Sequence, residues 1–291
     1  MRVFLRFILL IAGAWILTAM LTYPSWWLVH TLVDIPIHRV RDRVAMLLIM
    51  AGLVIFLRRW GLATRDVLGY SLPRREFVGQ LSIGFAAGFV LMVPLVLALF
   101  GLGIRMSETD FRPIVLATLV GQGVVTGLAV GFIEETCFRG AMYGAIRRES
   151  GVVLAIALPT VLYAAAHFLG GSLRIPSDEV TFLSGPRVVA DMFASFQQPL
   201  GLLDSFLALS ALGVLLSVIR LRTGAIAGAI GLHAGAVCVI VVLRSSSHVN
   251  ADSHWAWLVG SYDGVIGWMG LAWICLVTAL TFLFLHPPQR N

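Results

Sequence analysis

Eight stretches of this chain, residues 4–24, 43–60, 77–102, 114–138, 151–170, 200–219, 224–243 and 264–285, stay apolar over a length that crosses roughly 30 Å of hydrocarbon. In lipid the backbone must satisfy its own hydrogen bonds, so such runs are expected as spanning helices. The residues between them do not offer a second core. The longest polar segments are about 61–76 and 171–199, and 59% of the chain is hydrophobic against 12% charged. The sequence therefore predicts an all-α fold, a polytopic membrane bundle of about eight transmembrane helices, forming a single integral membrane domain over residues 1–291.

A net charge of +6 could suggest a nucleic-acid partner, but every basic residue is an arginine and most stand beside the ends of the apolar runs. That is the pattern of membrane topology, and no nucleic-acid partner is expected. With both termini in the cytoplasm, the inner segments hold Arg2, Arg6, Arg58, Arg59, Arg65, Arg74, Arg75, Arg147, Arg148, Arg220, Arg222 and Arg290. Fewer lie outside: Arg39, Arg41, Arg43, Arg105, Arg112, Arg174, Arg187 and Arg244, of which the cluster at 39–43 runs against the rule. The first apolar run has a basic start like a signal peptide, but it continues for a full span and is expected to remain as the first helix. Cys137, Cys238 and Cys275 all fall in apolar runs without metal-type spacing, so no disulfide framework is expected.

Small residues recur at fourfold spacing as Gly123, Gly127 and Gly131, and again as Gly224 and Gly228, then Gly231 and Gly235. Such stripes let helices approach closely. The first stripe leads into Gly131-Phe132-Ile133-Glu134-Glu135-Thr136-Cys137-Phe138-Arg139-Gly140, two carboxylates and a guanidinium in or near hydrocarbon. Each costs a few kcal/mol there on insertion scales. On a helix Glu135 and Arg139 pair at i,i+4, while Glu134 turns about 100° away. Two more titratable groups, His167 and His233, are the histidines well inside apolar runs. Counting helix rise from the nearest inner arginine or glycine puts Glu134, His167 and His233 at depths of roughly 20, 24 and 16 Å, close to one layer.

Groups that are each costly to bury are expected to meet, either as a functional cluster or as a polar knot that fixes helix packing. The knot accounts for Glu135 and Arg139 and leaves Glu134 without a purpose. A carboxylate base beside an imidazole can activate water while a second imidazole donates to an oxyanion. One carboxylate and two histidines, Glu134, His167 and His233, would also suit zinc or another divalent metal, and the spacing does not separate the two versions. His248, Asp252 and His254 sit beside Trp255 and Trp257 and read as an interfacial belt. Asp204 reads as a helix cap or a residue of an entry path.

These residues resemble the CAAX protease and bacteriocin-processing family, the type II CAAX-prenyl-protease-like intramembrane glutamic endopeptidases. Its motifs are E-E-x-x-x-R, F-x-x-x-H and H-x-x-x-N/D. The first is complete at Glu134, Glu135 and Arg139; the second has Tyr163 for Phe before His167; the third has His233 followed by Val237. The resemblance covers about residues 77–243. It implies an intramembrane endopeptidase acting on a membrane-associated or lipid-anchored protein or peptide within the lipid bilayer. Glu134 with His167 would activate water, His233 would stabilise the oxyanion, and Glu135 with Arg139 would support them. The family has been described both as metalloproteases and as metal-independent glutamic proteases; the second account is preferred here, so no cofactor is required. Val237 stands where the family places an Asn or Asp, and losing one oxyanion donor typically costs about 10²–10³ in rate.

Two other functions fit the same residues. Intramembrane carboxylates and histidines also build proton relays, so a proton-coupled transporter is one alternative, although no internal repeat or matched broken helices are evident. A catalytically weak scaffold or immunity protein on the same fold is the other. No H-E-x-x-H helix, Gly-x-Gly-Asp motif or G-x-S-G motif is present for the other intramembrane protease chemistries. The all-arginine basic set suggests a prokaryotic plasma membrane.

Overall fold

The computed structural model describes residues 1–108 and 113–285. Arg112 and Arg290 of the topology pattern lie outside the described residues. The chain runs α1 Arg2–His30, α2 Ile37–Arg59, α3 Arg65–Leu68, α4 Arg74–Gly101, β1 Arg105–Ser107 and α5 Pro113–Glu135. After a π-helical segment, Thr136–Met142, come α6 Tyr143–Ala166, α7 Ser184–Asp191, α8 Leu203–Thr223, α9 Ala227–Ser246, β2 Ser247–Val249 and α10 Trp268–Phe284. This is the expected all-α bundle.

Among the described residues five helical runs are long and apolar enough to cross a membrane: Arg2–His30, Arg74–Gly101, Pro113–Ala166, Pro199–Thr223 and Ala227–Ser246. The third is 54 residues long and contains two of the expected spans. Gly151 divides them, with φ 83° and ψ −178°, a conformation that side chains with a Cβ rarely adopt. α10 is apolar but only 17 residues long, because its first expected turn, around Gly264 and Gly267, is irregular. The many large apolar residues left exposed along the helices, among them Leu9, Ile16, Ile83, Val90 and Leu97, are suited to lipid rather than water. The protein is an integral membrane protein.

Two compact units form. The first comprises Met1–Ala63 and Ala165–Leu200. In it α1 packs on α2, with the Phe7 and Phe56 rings 4.6 Å apart, and the Trp26 indole N–H donates to the Ile35 carbonyl across the turn between them. The polar segment 171–199 contains α7, which packs on both helices; Gly185 admits the Ala19 carbonyl at close range. Arg41, one of the arginines that ran against the topology rule, is buried here. It donates to the Val188 carbonyl at 2.8 Å and forks onto Asp42 Oδ1, so it serves the fold of the unit.

The second unit comprises the described residues of Thr64–Ala164 and Gly201–Asn291. Its centre is α9, which is packed between α4 and α5 and is buried along most of its first half. Glycine makes this approach feasible on both sides. Gly127 of α5 faces the Ala234 carbonyl directly, and a Cβ on Gly131 would stand 2.9 Å from the Ile230 carbonyl oxygen. On the other face Gly84 meets Gly228, and Gly231 and Gly235 meet the Leu81 and Phe85 carbonyls. Replacing Gly127 by Val should push α5 off α9, with an overpacking cost of about 1–3 kcal/mol that appears as a lower melting temperature in detergent. Gly121→Val, on an exposed face with nothing within 4 Å of its Cβ position, should melt like the parent.

A two-stranded antiparallel ladder that the apolar pattern did not announce pairs Met106 with His248 beyond the helix ends. Arg105 supports it from a buried position, donating to Ser247 Oγ at 2.9 Å and to the Ser247 and Gly264 carbonyls. Burial lowers the Arg105 pKa, with nearby Asp263 opposing that shift.

Candidate active site

α5 delivers its last two residues, Glu134 and Glu135, to the middle of the second unit, and the π-helical segment that follows delivers Arg139. The wider turn changes the direction of the helix at this point. It is held from outside by the loop after α3. The Tyr70 hydroxyl lies 2.6 Å from Thr136 Oγ1, whose own proton goes to the Phe132 carbonyl, so the tyrosine is the donor. A Cβ on Gly140 would stand 3.0 Å from the Leu68 carbonyl oxygen, which keeps that loop close.

Glu135 and Arg139 are both fully buried, and Arg139 Nη1 donates to Glu135 Oε1 at 3.0 Å. The same oxygen lies 2.9 Å from His233 Nδ1, so a carboxylate with no exposure joins an α5 terminus, a π turn and the core of α9. Arg139 Nη2 donates at 3.2 Å to the Gly213 carbonyl of α8, which also accepts from Ser217 Oγ. Tyr163 of α6 closes the cluster. Its ring lies edge-on to the His233 imidazole at 6.0 Å and under the Arg139 guanidinium at 4.3 Å.

Glu134 is held differently. Its side chain keeps 29% exposure, its Oε2 is buried without a hydrogen bond, and that oxygen is 3.9 Å from His233 Nε2. The two ring nitrogens of His233 therefore face two different carboxylates. Nδ1 is within hydrogen-bond reach of Glu135, and Nε2 faces Glu134 across a gap that leaves the Glu134 oxygen uncommitted.

Of the five residues the sequence singled out, Glu134, Glu135, Arg139 and His233 come together in the second unit. His167 lies one residue beyond the end of α6, half-buried, in the stretch Ala165–Leu200 that folds with the first unit. Val237, one turn after His233 on α9, is partly buried and has no polar side chain to offer. Among the described residues no group of three or more His, Cys, Asp or Glu is placed to hold a metal ion. Gly213 was missed, because a backbone carbonyl leaves no trace in a motif. Asp204 accepts from the Ser205 N–H at the start of α8, and His248 is part of β2.

A family model for type II CAAX prenyl endopeptidases, Rce1-like, matches residues 116–239. That stretch holds all four gathered residues and His167. Over that stretch, which runs from within α5 to within α9, the chain is similar to the CAAX proteases, and the match supports a membrane-embedded protease of that general type. No curated protein and no solved structure matches the chain.

Proposed function

We propose that the cluster hydrolyses a peptide bond of a membrane-associated or lipid-anchored substrate, with Glu134 as the base that activates water. The observation that carries this reading is the Glu134 Oε2, free of hydrogen bonds and facing His233 Nε2 from a partly exposed side chain, beside a fully buried Glu135 whose Oε1 is engaged by Arg139 and His233 Nδ1. Two adjacent carboxylates in different surroundings suit different tasks. A water lying off the line between Glu134 Oε2 and His233 Nε2 would touch both.

Glu134 takes a proton from that water as its oxygen attacks the scissile carbonyl carbon. The carbonyl π pair moves onto the oxygen, and His233, protonated on both nitrogens, donates from Nε2 to the developing oxyanion. Collapse of the tetrahedral intermediate expels the amine, which receives its proton from Glu134. Glu135 acts as the acid of a serine-protease triad does, fixing which imidazole nitrogen points outward. With Val237 in place of an amide or carboxyl side chain, His233 carries the oxyanion without that helper.

Purified protein in liposomes should cleave a membrane-anchored peptide and conduct no protons. Proton flux abolished by Glu134→Gln, with no cleavage in any preparation, would assign the site to a carrier instead. The same proposal places the chain in a prokaryotic plasma membrane with both termini in the cytoplasm. In its support, Arg41 and Arg105, two of the arginines that stood on the outer side, are committed to buried hydrogen bonds. Reporters fused at either terminus should report from the cytoplasmic face; a signal from the opposite face would reverse the topology.

A further inference from the structure

The second unit holds a cavity of about 350 Å³ away from the carboxylate cluster, at its arginine-rich end. Asp66, Tyr143, Arg147, Arg148, Arg220 and Gly224 line it. Arg220 is the deepest cation of the lining, 4% exposed, and among the described residues it has no carboxylate partner. Its guanidinium is fixed instead by backbone carbonyls, those of Gly224, Asp66 and Val67. Gly69, at φ 80°, leaves the room: a Cβ there would stand 2.7 Å from Arg220 Cζ. Nε of Arg220 is buried and makes no hydrogen bond.

Tyr143 adds a second unused donor. It is 1% exposed, its buried hydroxyl is close to Arg147, which can only donate to it, so its own proton is left without an acceptor, and the Arg147 and Arg220 guanidinium carbons lie 5.9 and 5.8 Å from its ring centre. The carboxylate among the lining residues, Asp66, is 84% exposed and 3.7 Å from Arg148. Three guanidiniums against one carboxylate leave the cavity two positive charges in excess, one of them buried and preorganised. A buried cation without a counter-charge is costly, and a fixed guanidinium fork with a phenol donor beside it is made for an oxyanion with several acceptor oxygens.

We propose that this cavity is a phosphate-binding site, built by Arg220 and Tyr143 and screened by Arg147 and Arg148. Its place, where α8 ends and α6 approaches its break at Gly151, is the level at which spanning helices meet lipid headgroups. The phosphate is presented there by an anionic phospholipid or by a soluble phosphorylated molecule. Binding does not involve Glu134, so it stands or falls apart from the proteolytic reading.

The test uses the full-length protein in neutral detergent, with lipid retention read by native mass spectrometry. Phosphatidylglycerol should be retained well above phosphatidylcholine, and Arg147→Gln with Arg148→Gln should cut that retention about thirtyfold, the weight of two arginines at a membrane surface. Both are exposed, so folding is not at stake; Tyr143→Phe should lower retention further while leaving the melt unchanged. Competition by millimolar inorganic phosphate would assign a soluble ligand, and retention insensitive to it a lipid headgroup. Equal retention of the two lipids with no phosphate binding, or full retention by the double arginine variant, would overturn the proposal and leave the arginines as bilayer anchors only.

Discussion

Glu134→Gln should abolish peptide cleavage, with a loss of about 10²–10⁴-fold, and leave the folded protein intact. The amide has the shape of the carboxylate but cannot take a proton from water. The substitution costs the fold no hydrogen bond: Glu134 Oε2 accepts none, and its distance to His233 Nε2, 3.9 Å, is beyond hydrogen-bond range. The separation of the two readouts is the point of the experiment. Peptides of membrane and secreted fractions from wild-type and variant cells identify the cleavage products, and turnover of the peptide so found gives the magnitude. Unchanged products in the variant would end the enzyme reading, and a melting temperature well below the parent's would mean that Glu134 is structural after all.

Arg139→Met should have the opposite signature, with stability lost first and activity lost as a consequence. The side chain is fully buried, neutralises a fully buried Glu135, and holds the Gly213 carbonyl of α8. Removing one partner of such a pair leaves an uncompensated charge in a medium that cannot solvate it, at a cost of about 3–5 kcal/mol. The double variant Glu135→Gln with Arg139→Met removes both charges and should recover part of the loss, although His233 then loses the carboxylate that orients it. Thermal unfolding of the three proteins in one detergent measures this. Equal melting of Arg139→Met and the parent would show that the pair contributes nothing to the fold.

Much of the site was legible because its parts are short-range in sequence. A glycine stripe followed four residues later by Glu and then Arg is a pattern that one helix writes by itself, and Glu135 does face Arg139 at the end of that stripe. The glycines of α9 could be read as a close-packing surface, and Gly84 and Gly88 of α4 have the same fourfold spacing, but spacing alone does not say that α4 and α5 use opposite sides of α9. Backbone acceptors are invisible for the same reason that they are useful: the Gly213 carbonyl is available whatever the side chain. Arg41 shows a different limit. An arginine near a span end has the same letter whether it anchors the chain to headgroups or is buried on Val188, and only the fold separates the two. His167 looked one turn inside a helix, yet α6 stops at Ala166, because an apolar run ends where tertiary contacts end it and not where hydropathy falls.

The π-helical stretch between Glu135 and Tyr143 has a consequence for insertions and deletions. A π turn holds one residue more than the α turn it replaces. Deleting a single residue between Thr136 and Met142 would let the backbone return to the α repeat and leave everything downstream close to its present facing, because the wider turn has already absorbed the extra residue. A one-residue deletion in the regular part of α5, with nothing to absorb it, would instead rotate everything beyond it by about 100° and take Tyr163 off the His233 ring. A one-residue gap in an alignment is therefore compatible with the same α6 face on the site when it falls within Thr136–Met142, and not when it falls in the helix before it.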